Sequence, residues 1–126
     1  MNVAPSVAGK RNPRTPKLLW RWALGAALAV QVIAVYTPRA PAGPQIIGLD
    51  KVIHVAIFAA PALAALMVGI RARWALGILA VHAPVSELIQ HFVLPHREGD
   101  VLDVLADLSG VLLGALAYVV WNRGRH

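Results

Sequence analysis

The segment VLDVLADLSGVLLGALAYVVW, residues 101–121, decides the fold of this chain. It holds 21 residues, and apart from two aspartates, one serine and two glycines all of them are apolar. A helix needs about 20 residues to cross the hydrocarbon core of a membrane. The apolar residues do not alternate with a period of two, which argues against a strand of a membrane barrel. The segment therefore predicts a transmembrane helix.

Three earlier blocks have the same character, namely Leu18–Tyr36, Val52–Ile70 and Trp74–Leu94. The chain of 126 residues is 58 % hydrophobic and 14 % charged, whereas a soluble domain averages roughly 45–50 % and 25 %. We therefore predict an all-α fold, an integral membrane bundle of four transmembrane helices at residues 18–36, 52–70, 74–94 and 101–121. These helices form one domain, residues 18–121, whose main partner is the lipid bilayer.

The first block has an alternative interpretation as a secretory signal peptide. Lys10, Arg11, Arg14 and Lys17 resemble the basic region of such a signal, and residues 40–42 loosely resemble a cleavage site. The block is longer than the roughly 7–15 residues that are usual for the apolar part of a signal. We expect it to be retained as the first transmembrane helix.

The net charge of +6 is distributed unevenly along the chain. Nine of the twelve Lys and Arg residues fall on the same side of a chain that crosses four times, within residues 1–21, 71–73 and 122–126. Because Lys and Arg collect in cytoplasmic segments, we predict that both termini are cytoplasmic, with residues 1–17 as a disordered basic tail and residues 122–126 as a second tail. The chain has too little polar sequence for a nucleic-acid-binding face, which excludes nucleic acid as a partner.

All acidic residues map to the half of the bundle that faces away from the cytoplasm, namely Asp50, Glu87, Glu98, Asp100, Asp103 and Asp107. A carboxylate near mid-bilayer costs at least ~2.5–3.5 kcal/mol, so the deeper ones should face protein or water. Asp50 and His54 share a helix face, as do Asp103 and Asp107, because residues four apart are neighbours on a helix. The sequence thus predicts one outward-opening polar pocket, formed by Asp50, Lys51, His54, Glu87, Gln90, Arg97, Asp103 and Asp107.

A purely structural role is the alternative for these residues. Lys51 can pair with a neighbouring aspartate, and both Asp50 and Asp100 are placed to cap a helix. Further along the fourth helix, Gly110 and Gly114 form a G-x-x-x-G pair, which predicts close packing against a neighbouring helix.

Metal binding is not predicted from the spacing of the candidate ligands. Suitable nitrogen and oxygen atoms are offered by His54, Glu87, His91, Asp103 and Asp107. The E-x-x-x-H spacing at residues 87–91 is not the H-E-x-x-H motif, and the absence of cysteine removes thiolate zinc sites and cysteine nucleophiles. We therefore predict neither a metal nor a cofactor, and the sequence assigns no catalytic residue.

At the same residues the sequence resembles the VanZ-like family of small bacterial membrane proteins. The resemblance rests on DKVIH at residues 50–54, ELIQ at 87–90 and REGDVLDVLADLSGVLLG at 97–114, so it covers about half of the chain. Asp107 departs from the family pattern, which usually has Asn there. The resemblance implies a multi-pass protein of the bacterial cytoplasmic (inner) membrane that is linked to the cell envelope. The namesake of the family is associated with resistance to the glycopeptide antibiotic teicoplanin.

Three functions are compatible with these features. The first is a binding protein whose pocket holds a lipid-linked cell-wall precursor or a phospholipid headgroup, with Lys51 and Arg97 contacting phosphate or carboxylate. The second is an intramembrane hydrolase or transferase acting on a lipid-linked substrate, with His54 as general acid or base and with Glu87 or Asp103 either holding a metal or orienting His54. The third is a proton-coupled transporter that uses the buried carboxyl groups. Four helices are few for a carrier, so the third function would call for a homo-oligomer.

Overall fold

The computed structural model describes residues 14–38, 48–94 and 100–125. All regular structure within these ranges is helical. The helices are α1 (Arg14–Tyr36), α2 (Leu49–Val68), α3 (Ala72–Phe92) and α4 (Val101–Arg123). The predicted all-α fold with four helices is therefore confirmed.

The ends of the helices differ from the ends of the apolar blocks by up to four residues. α1 begins at Arg14, so residues 14–17, which were predicted to belong to a disordered tail, form its first turn. α2 begins at Leu49, before its apolar block, and α4 continues beyond its block to Arg123. These differences arise because a helix is defined by its backbone hydrogen bonds, which do not depend on whether each side chain is apolar. Residues 1–13 of the predicted tail lie outside the described residues.

A tight turn joins α2 to α3. Gly69 has a φ of +101°, a left-handed conformation that glycine adopts without steric penalty. The N–H groups of Gly69 and Ile70 donate to the carbonyl oxygens of Leu66 at 3.0 Å and Ala65 at 3.1 Å, which closes the end of α2. α3 then begins at Ala72. The two helices form an antiparallel hairpin, as the short connection in the sequence predicts.

α2 and α4 run in the same direction and approach each other closely. Gly110 lies against the backbone of Val55, and Gly114 lies against the backbone of Ala59. A Cβ atom on Gly110 would overlap the carbonyl oxygen of Val55, and one on Gly114 would lie 2.5 Å from the carbonyl oxygen of Ala59. The two glycines therefore permit a helix separation that no side chain at these positions would allow. As a consequence, the first turns of α2 and α4 are held side by side.

Large apolar side chains cover the outside of the helices, while polar side chains are buried between them. The buried polar residues are Gln31, His54, Ser86, Glu87, Gln90, Asp103 and Asp107. Among the described helices, three are long and apolar enough to cross a membrane, namely α2, α4 and α1 from Lys17 onward. So extensive an apolar surface is rare on a soluble monomer and suggests a membrane environment.

α3 has 21 residues but is not one of these three helices. Its buried face carries Ser86, Glu87 and Gln90, which lower the average hydropathy of the segment. Its exposed face carries a stripe of apolar residues at helical spacing, formed by Trp74, Ile78, Val81, Val85, Leu88 and Phe92. The polar residues of α3 are thus turned toward the other helices and its apolar residues toward the surroundings.

Candidate functional site

One lysine is shared between the first turns of α2 and α4. Lys51 Nζ lies against a carboxylate oxygen of Asp103 and donates to Oδ2 of Asp100 at 3.1 Å. The same Nζ lies 3.7 Å from Oδ2 of Asp50. Its positive charge is therefore surrounded by three carboxylates. The predicted pairing of Lys51 with a neighbouring aspartate is confirmed.

Asp100 connects the start of α4 to both neighbouring helices. Its side chain accepts from the N–H of Leu102 at 2.9 Å, which confirms its predicted role as a helix cap, and its own N–H donates to Oε2 of Glu87 at 3.0 Å. The bond from Leu102 and the contact with Lys51 hold the pKa of the Asp100 carboxyl below its ordinary value. This contribution to stability is present above the ordinary pKa and is lost as the pH falls through the lowered one. The predicted cap by Asp50 is wrong, because Asp50 lies within the first turn of α2.

A buried histidine–aspartate pair lies one turn deeper in the bundle. Nδ1 of His54 is 2.7 Å from Oδ1 of Asp107. Nε2 faces the other way, 3.7 Å from Oδ2 of Asp103 and 3.9 Å from Oδ1 of Asp50. A carboxylate on one ring nitrogen fixes the orientation of the imidazole and the position of its proton. The residue in contact with Nδ1 is therefore Asp107, and not Glu87 or Asp103 as the sequence suggested.

Seven residues of α2, α3 and the start of α4 form a continuous network, which we call the polar junction: Asp50, Lys51, His54, Glu87, Asp100, Asp103 and Asp107. The network contains five carboxyl groups but only one lysine and one histidine. Two of its carboxylate oxygens, Oε1 of Glu87 and Oδ2 of Asp107, are buried and have no hydrogen-bond partner among the described residues. The polar junction therefore has more acceptors than donors.

The polar junction also brings together atoms that could hold a metal ion. Donor atoms lie within 4.8 Å of one another in two sets, Asp50–His54–Asp103 and His54–Glu87–Asp107. The second set is entirely buried, whereas Asp50 in the first set is partly exposed. His91, a candidate ligand by sequence, is exposed and belongs to neither set. Imidazole and carboxylate groups of this kind bind divalent ions.

Six of the eight residues predicted for the pocket belong to the polar junction. Gln90 does not, because its Nε2 donates to the backbone carbonyl of Val35 in α1 at 2.8 Å. Arg97 lies outside the described residues. Asp100 is not among the residues predicted for the pocket, yet it contacts both Lys51 and Glu87 of α3.

Two polar features lie outside the polar junction and outside the predicted pocket, namely the buried Gln31 of α1 and a contact between Tyr36 of α1 and His82 of α3. Gln31 is 1 % exposed, and its Nε2 has no partner in the described part of the chain. The hydroxyl of Tyr36 lies 2.8 Å from Nε2 of His82, which stacks on Phe58 with ring centroids 5.7 Å apart. The sequence contains one signal for the burial of Gln31, because it is the only amide side chain in its apolar block.

An apolar groove of about 150 Å³ lies between α1, α2 and α3. Its lining includes Leu24, Leu28, Pro61, Ala65, Trp74 and Leu79. No residue of the polar junction lines this groove. The groove and the junction are therefore separate features of the bundle.

Comparison with protein-family models, with curated proteins and with solved structures finds no match for this chain.

Proposed function

We propose that this chain is a multi-pass protein of the bacterial cytoplasmic membrane, with four transmembrane helices and both termini in the cytoplasm. Three apolar helices support this proposal, and the outward apolar stripe of α3 supports a fourth crossing. Lys17, Arg71 and Arg123 lie at the helix ends opposite the polar junction, in agreement with the cytoplasmic preference of basic residues. The resemblance to the VanZ-like family supports the same location and adds a link to the cell envelope and to teicoplanin resistance.

Single-cysteine labelling tests this arrangement directly, because the chain contains no cysteine of its own. Cysteine at Thr37 or Val93, two exposed positions at the end that carries the polar junction, should react with a membrane-impermeant maleimide added to intact spheroplasts. Cysteine at Arg71 or Arg125, exposed at the opposite end, should react only after permeabilisation. Labelling of the last two variants from outside would contradict the proposed topology.

We further propose that the polar junction binds the polar part of a lipid-linked envelope ligand, either a cell-wall precursor or a phospholipid headgroup. The observation that carries this proposal is the pair of buried, unpartnered oxygens on Glu87 and Asp107. A buried acceptor without a partner costs about 1–3 kcal/mol, and more when it is charged. A ligand that brings positive charge or hydrogen-bond donors would remove that cost.

The carboxylates around Lys51 argue against the contact between Lys51 and a phosphate or carboxylate of the ligand that the sequence predicts. Three carboxylates already surround its ammonium group, so Lys51 is not free to hold a phosphate. The bound ligand should instead supply a cation or a donor to the surplus acceptors of the polar junction.

Lipid retention in detergent tests the binding proposal. Native mass spectrometry of the purified wild-type chain should detect a bound lipid, and Glu87→Gln should lose most of it because the charged acceptor is removed. Ser86→Ala is the matched control, since Ser86 is buried beside Glu87 but donates only to the carbonyl of Ala83 among the described residues. Equal lipid retention in Glu87→Gln and wild type would contradict the proposal. Failure of both Glu87→Gln and Asp103→Asn to fold would indicate a structural role for these charges.

The His54–Asp107 pair favours an intramembrane hydrolase or transferase as a second candidate. A carboxylate that orients an imidazole is the arrangement used in general acid–base catalysis. Here the carboxylate of Asp107 contacts Nδ1 of His54, and Nε2 of the same ring faces Asp103 at 3.7 Å. Conversion of the bound lipid by wild type, seen as a product in the same mass spectra, would favour this candidate over simple binding.

A further inference from the structure

We infer that the buried set His54–Glu87–Asp107 of the polar junction binds a divalent transition-metal ion, with Mn²⁺ and Zn²⁺ as the candidate ions. This inference deepens the proposed function and rests on it in one respect, the assignment of the polar junction as a ligand-binding site. The metal ion is then the positive charge that the surplus acceptors require.

The three residues come from three different helices and converge at one point. Their donor atoms lie within 4.8 Å of one another. Two ligands on opposite sides of one ion, each at about 2.0–2.2 Å, are at most about 4.4 Å apart. The set therefore needs only a small contraction to surround a single ion.

The unpartnered oxygens are an independent observation that points to the same ion. Glu87 and Asp107 are 5 % and 0 % exposed, so water does not reach these carboxylates readily. Each is held by one oxygen: Oε2 of Glu87 accepts from the N–H of Asp100, and Oδ1 of Asp107 lies 2.7 Å from Nδ1 of His54. The other oxygen of each is buried without a partner among the described residues. The Glu87 carboxylate is divided as in metal sites, where an outer contact holds the group that binds the ion. The contact between Asp107 and His54 joins two members of the set, so a bound ion would take the place of the hydrogen bond between Nδ1 and Oδ1.

Lys51 does not supply this charge in place of a metal. Lys51 contacts Asp50, Asp100 and Asp103, on the other side of His54. Lys51 therefore neutralises the first turns of α2 and α4, and the unpartnered oxygens of Glu87 and Asp107 are not among its contacts.

The donor set selects the class of metal. One imidazole with two carboxylates suits Mn²⁺ or Zn²⁺, whereas Mg²⁺ and Ca²⁺ prefer oxygen ligands alone. Three protein ligands leave coordination positions open. A phosphate or carboxylate oxygen of the lipid-linked ligand can fill such a position, which explains how an acidic junction could hold an anionic headgroup. The spacing within each helix did not predict the metal because the set is assembled from three helices.

Titration of the chelator-treated, detergent-purified full chain with Mn²⁺ tests the inference, with free Mn²⁺ followed by electron paramagnetic resonance. Wild type should bind Mn²⁺ stoichiometrically and release it to Zn²⁺. Glu87→Gln and Asp107→Asn should each weaken binding at least about tenfold, because the loss of even an outer-shell partner costs about 10–100-fold. His91→Gln, a histidine variant outside the set, should bind like wild type.

Spin-echo modulation of bound Mn²⁺ provides a readout that a merely structural role would not give. The wild-type spectrum should contain the coupling of an imidazole nitrogen, and His54→Gln should remove it. This measurement on wild type keeps the test valid if a carboxylate variant fails to fold. A proton shared between the carboxyl groups of Glu87 and Asp107, in place of an ion, would appear as no stoichiometric Mn²⁺ binding and would overturn the inference.

Asp50→Asn distinguishes the buried set from the more exposed one. Loss of Mn²⁺ binding in Asp50→Asn together with retention in Glu87→Gln would place the ion elsewhere and overturn the inference. Lipid is measured on the same samples. Metal binding without bound lipid would support the metal inference and contradict the proposed lipid binding. Bound lipid without metal would support the proposed lipid binding and overturn the metal inference.

Discussion

Replacing Gly110 with alanine should force α4 away from α2 and lower the free energy of unfolding by about 3 kcal/mol, the upper end of the usual cost of overpacking. The added Cβ would overlap the carbonyl oxygen of Val55 and lie 3.1 Å from Cβ of Phe58. The first of these atoms belongs to the backbone of α2, so no rotation of a side chain can relieve the overlap. The measurement is unfolding in mixed micelles, followed by the fluorescence of the tryptophans.

Gly77→Ala is the matched control for this substitution. Gly77 lies inside α3, and a Cβ there would have no heavy atom within 4 Å. Alanine is favoured over glycine inside a helix by roughly 0.5–1 kcal/mol, so the control should be neutral or slightly stabilising. Equal stability of Gly110→Ala and wild type would mean that α2 and α4 are farther apart than the structure indicates.

The number and class of the helices could be predicted from the sequence because each apolar block is long enough for one helix. The ends could not, because hydrophobicity does not report backbone hydrogen bonds. The start of α2 affects the site, because the helix begins at Leu49 and not at Val52, which places Asp50 and Lys51 inside its first turn. The hydropathy of α3 likewise understates its apolar exposure, because averaging ignores which face Glu87 and Gln90 occupy.

Helical spacing predicted which polar residues share a face, but not which of them would pair. The partner of His54 depends on how far α4 is shifted along α2, and that shift depends on where Gly110 and Gly114 pack. The observed shift brings Asp107 to Nδ1 of His54 and Asp103 toward Nε2. Spacing within one helix contains no information about this offset, which is why the sequence suggested Glu87 or Asp103 for the role of Asp107.

Removing the imidazole of His54 should destabilise the fold by about 3–5 kcal/mol, the usual cost of breaking a buried ion pair from one side. In His54→Leu the carboxyl group of Asp107, which is 0 % exposed, loses its only side-chain partner among the described residues. Asp107→Ala should cost less, because a neutral imidazole needs no counter-charge and Nε2 of His54 still faces two carboxylates. Unfolding of each variant in mixed micelles, at the same pH and without added metal, gives the two values.

The double variant His54→Leu/Asp107→Ala should lose less unfolding free energy than the two single variants lose in sum. Once both groups are gone, neither leaves an unpaired partner behind, and replacing a whole buried pair by apolar residues is often close to neutral. The difference between the double variant and the sum is the coupling free energy of the pair, and contacting residues in one network usually couple by about 0.5–3 kcal/mol. Additive effects, with no coupling, would mean that the contact between Nδ1 and Oδ1 contributes nothing to stability. The pair would then have to be explained by ligand binding or chemistry alone.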